Sequence, residues 1–498
     1  MSEFGGATTT VTLRAGPAWA SGRPRRDGLR RRTVLGLSVG LTLLLVVAAG
    51  AAAGPEEQQY LAAAATARAA YRYDRALVWY SAASTNEPAD PRPHCLVGEV
   101  LLLQGEPRAA EAAYQACVAR APGGGTAWLG LGRARSLAGD LQGAEAAWER
   151  TAALGVDDGL RQLGALYESL GRFAEAEAIW ARLPANDGQA LAHRGLLALW
   201  RGDAGTASAD FAAARQAGSA DEQRLEQDGL VALADAPLSG AAGLGHLGYA
   251  FLVGGMPQLA LQPLQQAVAL APRMGDAHAY LGWTLWLLGR QAEARAEIAQ
   301  GTLLAPKLSF AWFAAAEVVA AGGDTTTGLA DLRQALDLDA RNPELWAETG
   351  RMELAQHDYI PAELALGNAA QLSNDPTYTI LLLHLYVDYH FGLRTGRAFT
   401  AASTAVERFP KSEPVQFLLA EVLDQLGRSD EAYYAATTAQ ALDPTDPGPY
   451  ILLGQYAEDQ GDYVTAALDL RTALALQPEG PEAGQARNLL GPLADIPV

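Results

Sequence analysis

One stretch repeats itself, and nothing else in the chain constrains the fold as strongly. Between Ala241 and Pro306, the set Leu244, Leu247-Gly248, Ala260, Leu264 and Leu270-Ala271-Pro272 recurs 34 residues later as His278, Leu281-Gly282, Ala294, Ile298 and Leu304-Ala305-Pro306. A period of this size marks stacked units, none of which can bury its apolar face alone. Each unit reads as two short helices. Ala277 to Leu288 places apolar residues at helical spacing, Gly289-Arg290 breaks the helix, and Gln291 to Leu304 is a second helix stopped by Pro306. Gly282 and Ala294 are the small residues at which the two helices approach.

The beat extends over most of the chain. Small residues of the second helices follow one another as Ala76, Ala110, Ala144, Ala176, Ala207, Ala260, Ala294, Gly328, Ala362, Ala398, Ala432 and Ala466, most of them 34 apart. Closing prolines such as Pro88, Pro122, Pro272, Pro306, Pro410, Pro444 and Pro478 keep the same interval. With Tyr60, Ala64, Ala76, Tyr80, Ala83 and Pro88 in one unit, and Trp128, Leu131-Gly132, Ala144 and Trp148 in another, this pattern resembles the tetratricopeptide repeat. The resemblance covers roughly Glu57 to Pro478. It implies an all-α, right-handed superhelical solenoid of about twelve helix-turn-helix repeats, with first helices lining a concave groove.

The interval from Ala207 to Ala260 exceeds one repeat by 19 residues. Asp221 to Leu233 reads as an added helix ended at Ala236-Pro237, so residues 221–240 form an insert between repeat blocks 57–220 and 241–478. Within 479–498, Glu482 to Leu490 is amphipathic and reads as a capping helix, with Leu489 and Leu490 covering the last repeat.

The other end of the chain is unlike the rest. The formal net charge is −19, yet the residues before Thr33 hold seven Arg against Glu3 and Asp27, a net of +5. This basic leader, 1–32, precedes an uncharged run over 33–54 that is long enough to cross a bilayer. The expectation is one transmembrane helix, Thr33–Ala53, with the Arg cluster cytoplasmic and the repeats outside the cytoplasmic membrane. Cleavage within Ala49-Gly50-Ala51-Ala52-Ala53 is the alternative, giving a secreted or periplasmic chain. The acidic body makes nucleic acid an unexpected partner.

Motifs for chemistry are scarce. Gly243-Leu244-Gly245-His246-Leu247-Gly248 has the spelling of a dinucleotide loop, but no strand pattern precedes it and its residues already have packing roles, so no nucleotide is expected. No cofactor or metal is expected either: the seven histidines form no ligand pair on a helix. His94 and His278 stand where the repeat has a large apolar residue. Cys95 and Cys117 read as two small buried or half-buried thiols, with a bridge as the lesser alternative because Cys95 falls off the structural apolar row. Trp128, Trp148, Trp180, Trp312 and Trp346 occupy structural slots and are expected in the core.

By the phase that the resemblance assigns to the groove, Tyr249, Trp283, Trp286, Phe310 and Phe313 line its middle, followed by Glu317 and Arg351. Leu199, Trp200 and Leu252 share that phase, as do Arg68, Glu99, Arg133, Ser136, Arg161 and Glu168 toward the N-terminus and Glu421, Asp424, Gln455 and Glu458 toward the C-terminus. Aromatic clusters rimmed by polar groups mark partner sites. The expectation is a membrane-anchored, non-catalytic scaffold for a protein or peptide segment, serving envelope assembly, export or complex formation. The alternative is a carbohydrate- or polymer-binding module that stacks sugar rings on the same aromatics.

Overall fold

The computed structural model describes residues 55–69, 73–227, 230, 233, 239–477, 481–494 and 496. These residues form twenty-six α-helices and no strand. Setting aside Ala220–Gln227 and Pro481–Leu490, the helices make twelve consecutive antiparallel hairpins, from Pro55–Ala69 with Tyr73–Asn86 to Pro447–Asp459 with Tyr463–Leu476. The transmembrane expectation over Thr33–Ala53 and the leader before it lie outside the described residues. No described helix is long and apolar enough to cross a membrane.

Two turn chemistries set the hairpins. Within several of them, a glycine in the left-handed region is followed by an aspartate that caps the second helix. Gly139 has φ 88°, and Asp140 then accepts from the Gly143 N–H at 2.9 Å. Gly323 at 97° and Asp324, which accepts from the Thr327 N–H at 3.0 Å, repeat the arrangement. Such a cap stabilises its helix by about 1 kcal/mol. Between hairpins, a polar group on the next first helix donates to a carbonyl six residues back. Trp128 and Trp312 donate from Nε1 to the Pro122 and Pro306 carbonyls, both at 3.0 Å, and Trp346 to that of Ala340 at 2.9 Å. His278 reaches Pro272, Gln416 reaches Pro410 and Tyr450 reaches Pro444 at the same separation, each at 3.1 Å. This corrects part of the expectation for the tryptophans. Trp148 and Trp180 are buried, but Trp128, Trp312 and Trp346 stay half-buried because their indole N–H groups are needed at the turns.

The expected row of small residues is confirmed. Eleven alanines, from Ala76 to Ala466, have no accessible surface, and Gly328 is buried in the twelfth position. The cysteines depart from expectation. Cys95 and Cys117 are joined by a disulfide, their Cα atoms 5.3 Å apart. Cys95 lies one turn before Gly98, where the ring of Tyr114 packs, and Cys117 lies one turn after Tyr114. Both sulfurs therefore face the seam of the same hairpin.

By density of contacts the chain divides into two compact units. One holds residues 164–378; the other holds the described residues before 164 and after 378. In the second unit, Ala475 and Leu476 at the end of the last hairpin join a core cluster with Ala64, Tyr73, Tyr80 and Val100 of the first two hairpins. The helix Pro481–Leu490 packs on the last hairpin, with Ala486 and Leu493 fully or nearly buried and the expected Leu489 and Leu490 only partly so.

In the first unit, the added helix is Ala220–Gln227, shorter than expected, with Leu225 and then Leu230 buried. A half-buried polar knot ties it down. His193 stacks on Trp180 with ring centroids 4.4 Å apart. Its Nδ1 contacts Glu168 Oε2 at 2.8 Å and its Nε2 lies 3.8 Å from Asp221 of the added helix. Glu168 also accepts from Trp180 Nε1 at 2.8 Å. Burial alone would lower the His193 pKa, but the Glu168 and Asp221 carboxylates outweigh it and push it up to about 10. The protonated His193 ring, 3.8 Å away, in turn holds Asp221 below its ordinary value.

Two outcomes follow. A histidine raised above its unfolded value stabilises fully below about pH 6.5 and loses that contribution as pH rises through its folded value, here about 10. Hydrogen-exchange protection of Ala220–Gln227, corrected for intrinsic rates, should therefore fall between pH 7 and pH 10. His193→Gln should be weaker at pH 7 and flat over that range; an equal pH dependence in the variant would contradict the assignment. In the other unit, Ala475→Arg should cost Tyr73–Asn86 roughly 1–3 kcal/mol of exchange protection, because a large side chain is forced into a packed contact. Unchanged protection there would show that the two ends are not coupled.

Candidate functional groove

The aromatic residues singled out by phase lie on three consecutive first helices, Gly240–Val253, Gly275–Leu287 and Ser309–Ala321. Rings on these helices form a connected chain. Tyr249 meets Tyr280 at 4.5 Å between centroids, and Tyr280 meets Phe310 at 5.1 Å. Trp283 sits edge-on to Phe310 at 6.4 Å and tilted on Phe313 at 5.4 Å. Tyr249, Tyr280 and Trp283 are half-buried, whereas Phe310 and Phe313 are 8 % and 7 % exposed and serve mainly as backing. Trp286 is half-buried but stands outside the ring chain. Tyr280, which the phase did not select, is its central member.

Leu199 and Leu252, which share the groove phase, are buried core. Several polar residues in that phase are engaged with one another. Arg68 pairs with Glu99 at 2.8 Å, and Glu168 belongs to the His193 knot. Glu421 is pushed up to about 7 by burial, with His384 opposing the shift.

Beyond the rings the next first helix, Pro343–Ala355, supplies charge. Arg351 Nη2 donates to both oxygens of Glu317, at 2.7 and 3.0 Å, and Arg351 Nε donates to Glu348. The expected Glu317 and Arg351 are thus brought together, with Glu348 as a partner that phase alone had missed and Glu344 one turn before it on the same helix. Burial, then the Glu348 carboxylate, pushes Glu317 up to about 7 against the pull of Arg351. Burial, then Glu348 and Glu317, pushes Glu344 up to about 8. Burial also raises the phenols of Tyr249 and Tyr378, and the Glu344 charge adds to both shifts. The Glu344 carboxylate is therefore an electrostatic neighbour of rings from two other hairpins.

Two further motifs have structural contacts. Gly243 to Gly248 lies inside the helix Gly240–Val253, where Gly245 faces Met274 and Gly248 faces Leu264, so its glycines serve packing and form no phosphate loop. His384 lies 3.5 Å from Asp388 one turn away, and His390 contacts Gln425 at 3.0 Å.

Residues 98–159 and 232–306 match the tetratricopeptide repeat family. No curated protein sequence matches the chain. Among solved structures, yeast Tom70 is similar at 15 % identity, covering 88 % of this chain and 95 % of that one, with a TM-score of 0.36. PilF of Pseudomonas aeruginosa is similar at 18 % identity over 43 % of this chain and 96 % of that one, TM-score 0.35. A tetratricopeptide repeat protein from Parabacteroides merdae gives 16 %, 51 %, 99 % and 0.35 in the same order. At these scores the likeness carries no argument about partner or task. Two stretches of the chain, 98–159 and 232–306, are thus similar to tetratricopeptide repeats, and the described residues form an all-helical array of hairpins.

Proposed function

We propose that this chain is a non-catalytic scaffold that holds a peptide or protein segment in the groove centred on Tyr249, Tyr280 and Trp283. The observation that carries the reading is the half-buried ring chain beside a cluster of charged side chains, spread over consecutive first helices. Rigid aromatic anchors with a polar border are what partner sites require. The sugar-stacking alternative is less well supported, because Trp283 is already engaged by Phe310 edge-on and by Phe313.

The scaffold is anchored by Thr33–Ala53 and works outside the cytoplasmic membrane, in envelope assembly, export or complex formation. The basic leader followed by an uncharged run supports the anchor and its direction. The Cys95–Cys117 bridge supports an oxidising compartment, where disulfides persist. A tag placed after Gly54 should be labelled by membrane-impermeant reagents on intact cells, and protein recovered from those cells should carry no free thiol. A tag reached only after lysis, or two reduced cysteines, would contradict this placement.

The groove itself is tested by Trp283→Ala combined with Trp286→Ala. Loss of a buried aromatic anchor costs ~2 kcal/mol or more of binding. Pull-down from solubilised membranes should lose a stoichiometric protein partner while the melting temperature barely moves. If capture fails only in step with unfolding, the tryptophans are packing residues and the groove is misplaced.

A further inference from the structure

Resting on that groove reading, we infer that the occupant is a peptide segment carrying a lysine or arginine beside an apolar side chain. Two carboxylates, Glu317 and Glu348, hold the Arg351 guanidinium, and a third, Glu344, stands one turn before Glu348 on the same helix. Arg351 is committed to Glu317 and Glu348 by hydrogen bonds. Glu344 is different: among the described residues no side chain hydrogen-bonds its carboxylate, and its charged neighbours are Glu348 and Glu317. A half-buried carboxylate facing two others is relieved by a cation and opposed by an anion.

The wall beside it favours the same sign. Tyr249, Tyr280 and Trp283 are half-buried, and the faces of such rings attract ammonium and guanidinium groups. Glu317 stands one turn after Phe313, the ring that backs Trp283, so a basic side chain held at the acidic cluster places its apolar neighbour over Trp283. Arginine and lysine suit this wall because their aliphatic stems cover apolar surface while the charged head finds the carboxylate. Anionic segments and nucleic acid are disfavoured by the same charges.

The test is a phage-displayed random heptapeptide library panned on the full chain and, in parallel, on Glu344→Gln, Glu344→Asp and Trp283→Ala. Peptides enriched on the native chain should carry Lys or Arg next to an aliphatic or aromatic residue. A charge-assisted contact of this kind corresponds to about tenfold or more in binding, which Glu344→Gln should lose and Glu344→Asp should largely keep. Trp283-dependent peptides that are neutral or acidic, or that bind Glu344→Gln equally well, would overturn the inference while leaving the groove intact. Absence of any peptide whose capture depends on Trp283 would overturn the groove reading and this inference with it.

Discussion

The structure depends on one contact made over and over: in eight of the twelve hairpins a large side chain of the second helix rests on a glycine sixteen residues earlier in the first. Tyr114 lies on Gly98, Trp148 on Gly132, Trp180 on Gly164 and Phe211 on Gly195, so close that a Cβ at any of these glycines would lie 2.8 Å or less from the ring. Leu264, Ile298, Leu366 and Leu470 sit in the same way on Gly248, Gly282, Gly350 and Gly454. Four residues before each of these large side chains comes the buried small residue of the second helix, Ala110, Ala144, Ala176, Ala207 and so on. The two helices can close on one another only because one gives up its Cβ and the other keeps its own small. Tyr114 shows how this propagates. Gly130 of the following hairpin also faces its ring, so one side chain fixes a hairpin and the start of the next.

The groove is a consequence of that packing. Once the glycine face of a first helix is committed to its partner, the next face along is common to successive hairpins. Residues about one repeat apart then become neighbours, as with Tyr249 and Tyr280, Trp283 and Phe313, or Glu317 and Arg351. The aromatic middle and the acidic cluster are held on helices rather than loops, which gives a site its precision. The His193 knot has a related place in the other part of the same compact unit: it fixes the added helix, the one element that interrupts the beat of the repeats.

Much of this was readable from residue types and their spacing. The interval of the small residues set the number of hairpins, and the insert and the cap stood out as departures from it. Phase along the first helices put Tyr249, Trp283, Trp286, Phe310, Phe313, Glu317 and Arg351 on one face; the structure joins all of these except Trp286 to the ring chain or the charged cluster. What was not readable depends on angles that a repeat pattern averages away. Tyr280 stands directly before Leu281 and reads as flanking the core row, yet its ring bridges Tyr249 and Phe310. Cys95 appeared to face away from Cys117, although its position one turn before Gly98 was a sign that it faces the seam. The tryptophans at 128, 312 and 346 look apolar by type, but the turn carbonyl six residues back calls on their indole N–H. Glu344 and Glu348 carry no signature at all; only the approach of neighbouring helices shows that Glu348 shares Arg351 with Glu317, with Glu344 one turn away.

The central claim, that glycine and large side chain fix these hairpins as a pair, is tested most directly by a double-mutant cycle at Gly132 and Trp148. Trp148 suits the experiment because its indole N–H has no hydrogen-bond partner, so Trp148→Leu removes bulk without removing a bond. The readout is exchange protection of the helices Gly125–Ala138 and Leu141–Ala153, which reports local stability without assuming that the whole array unfolds at once. Overpacking makes Gly132→Ala destabilising by ~1–3 kcal/mol in the native background. With leucine at 148, the same change should become neutral or mildly stabilising, since alanine is otherwise better in a helix by about 1 kcal/mol. A cost for Gly132→Ala that is the same in both backgrounds would contradict the pairing on which the fold and its groove rest.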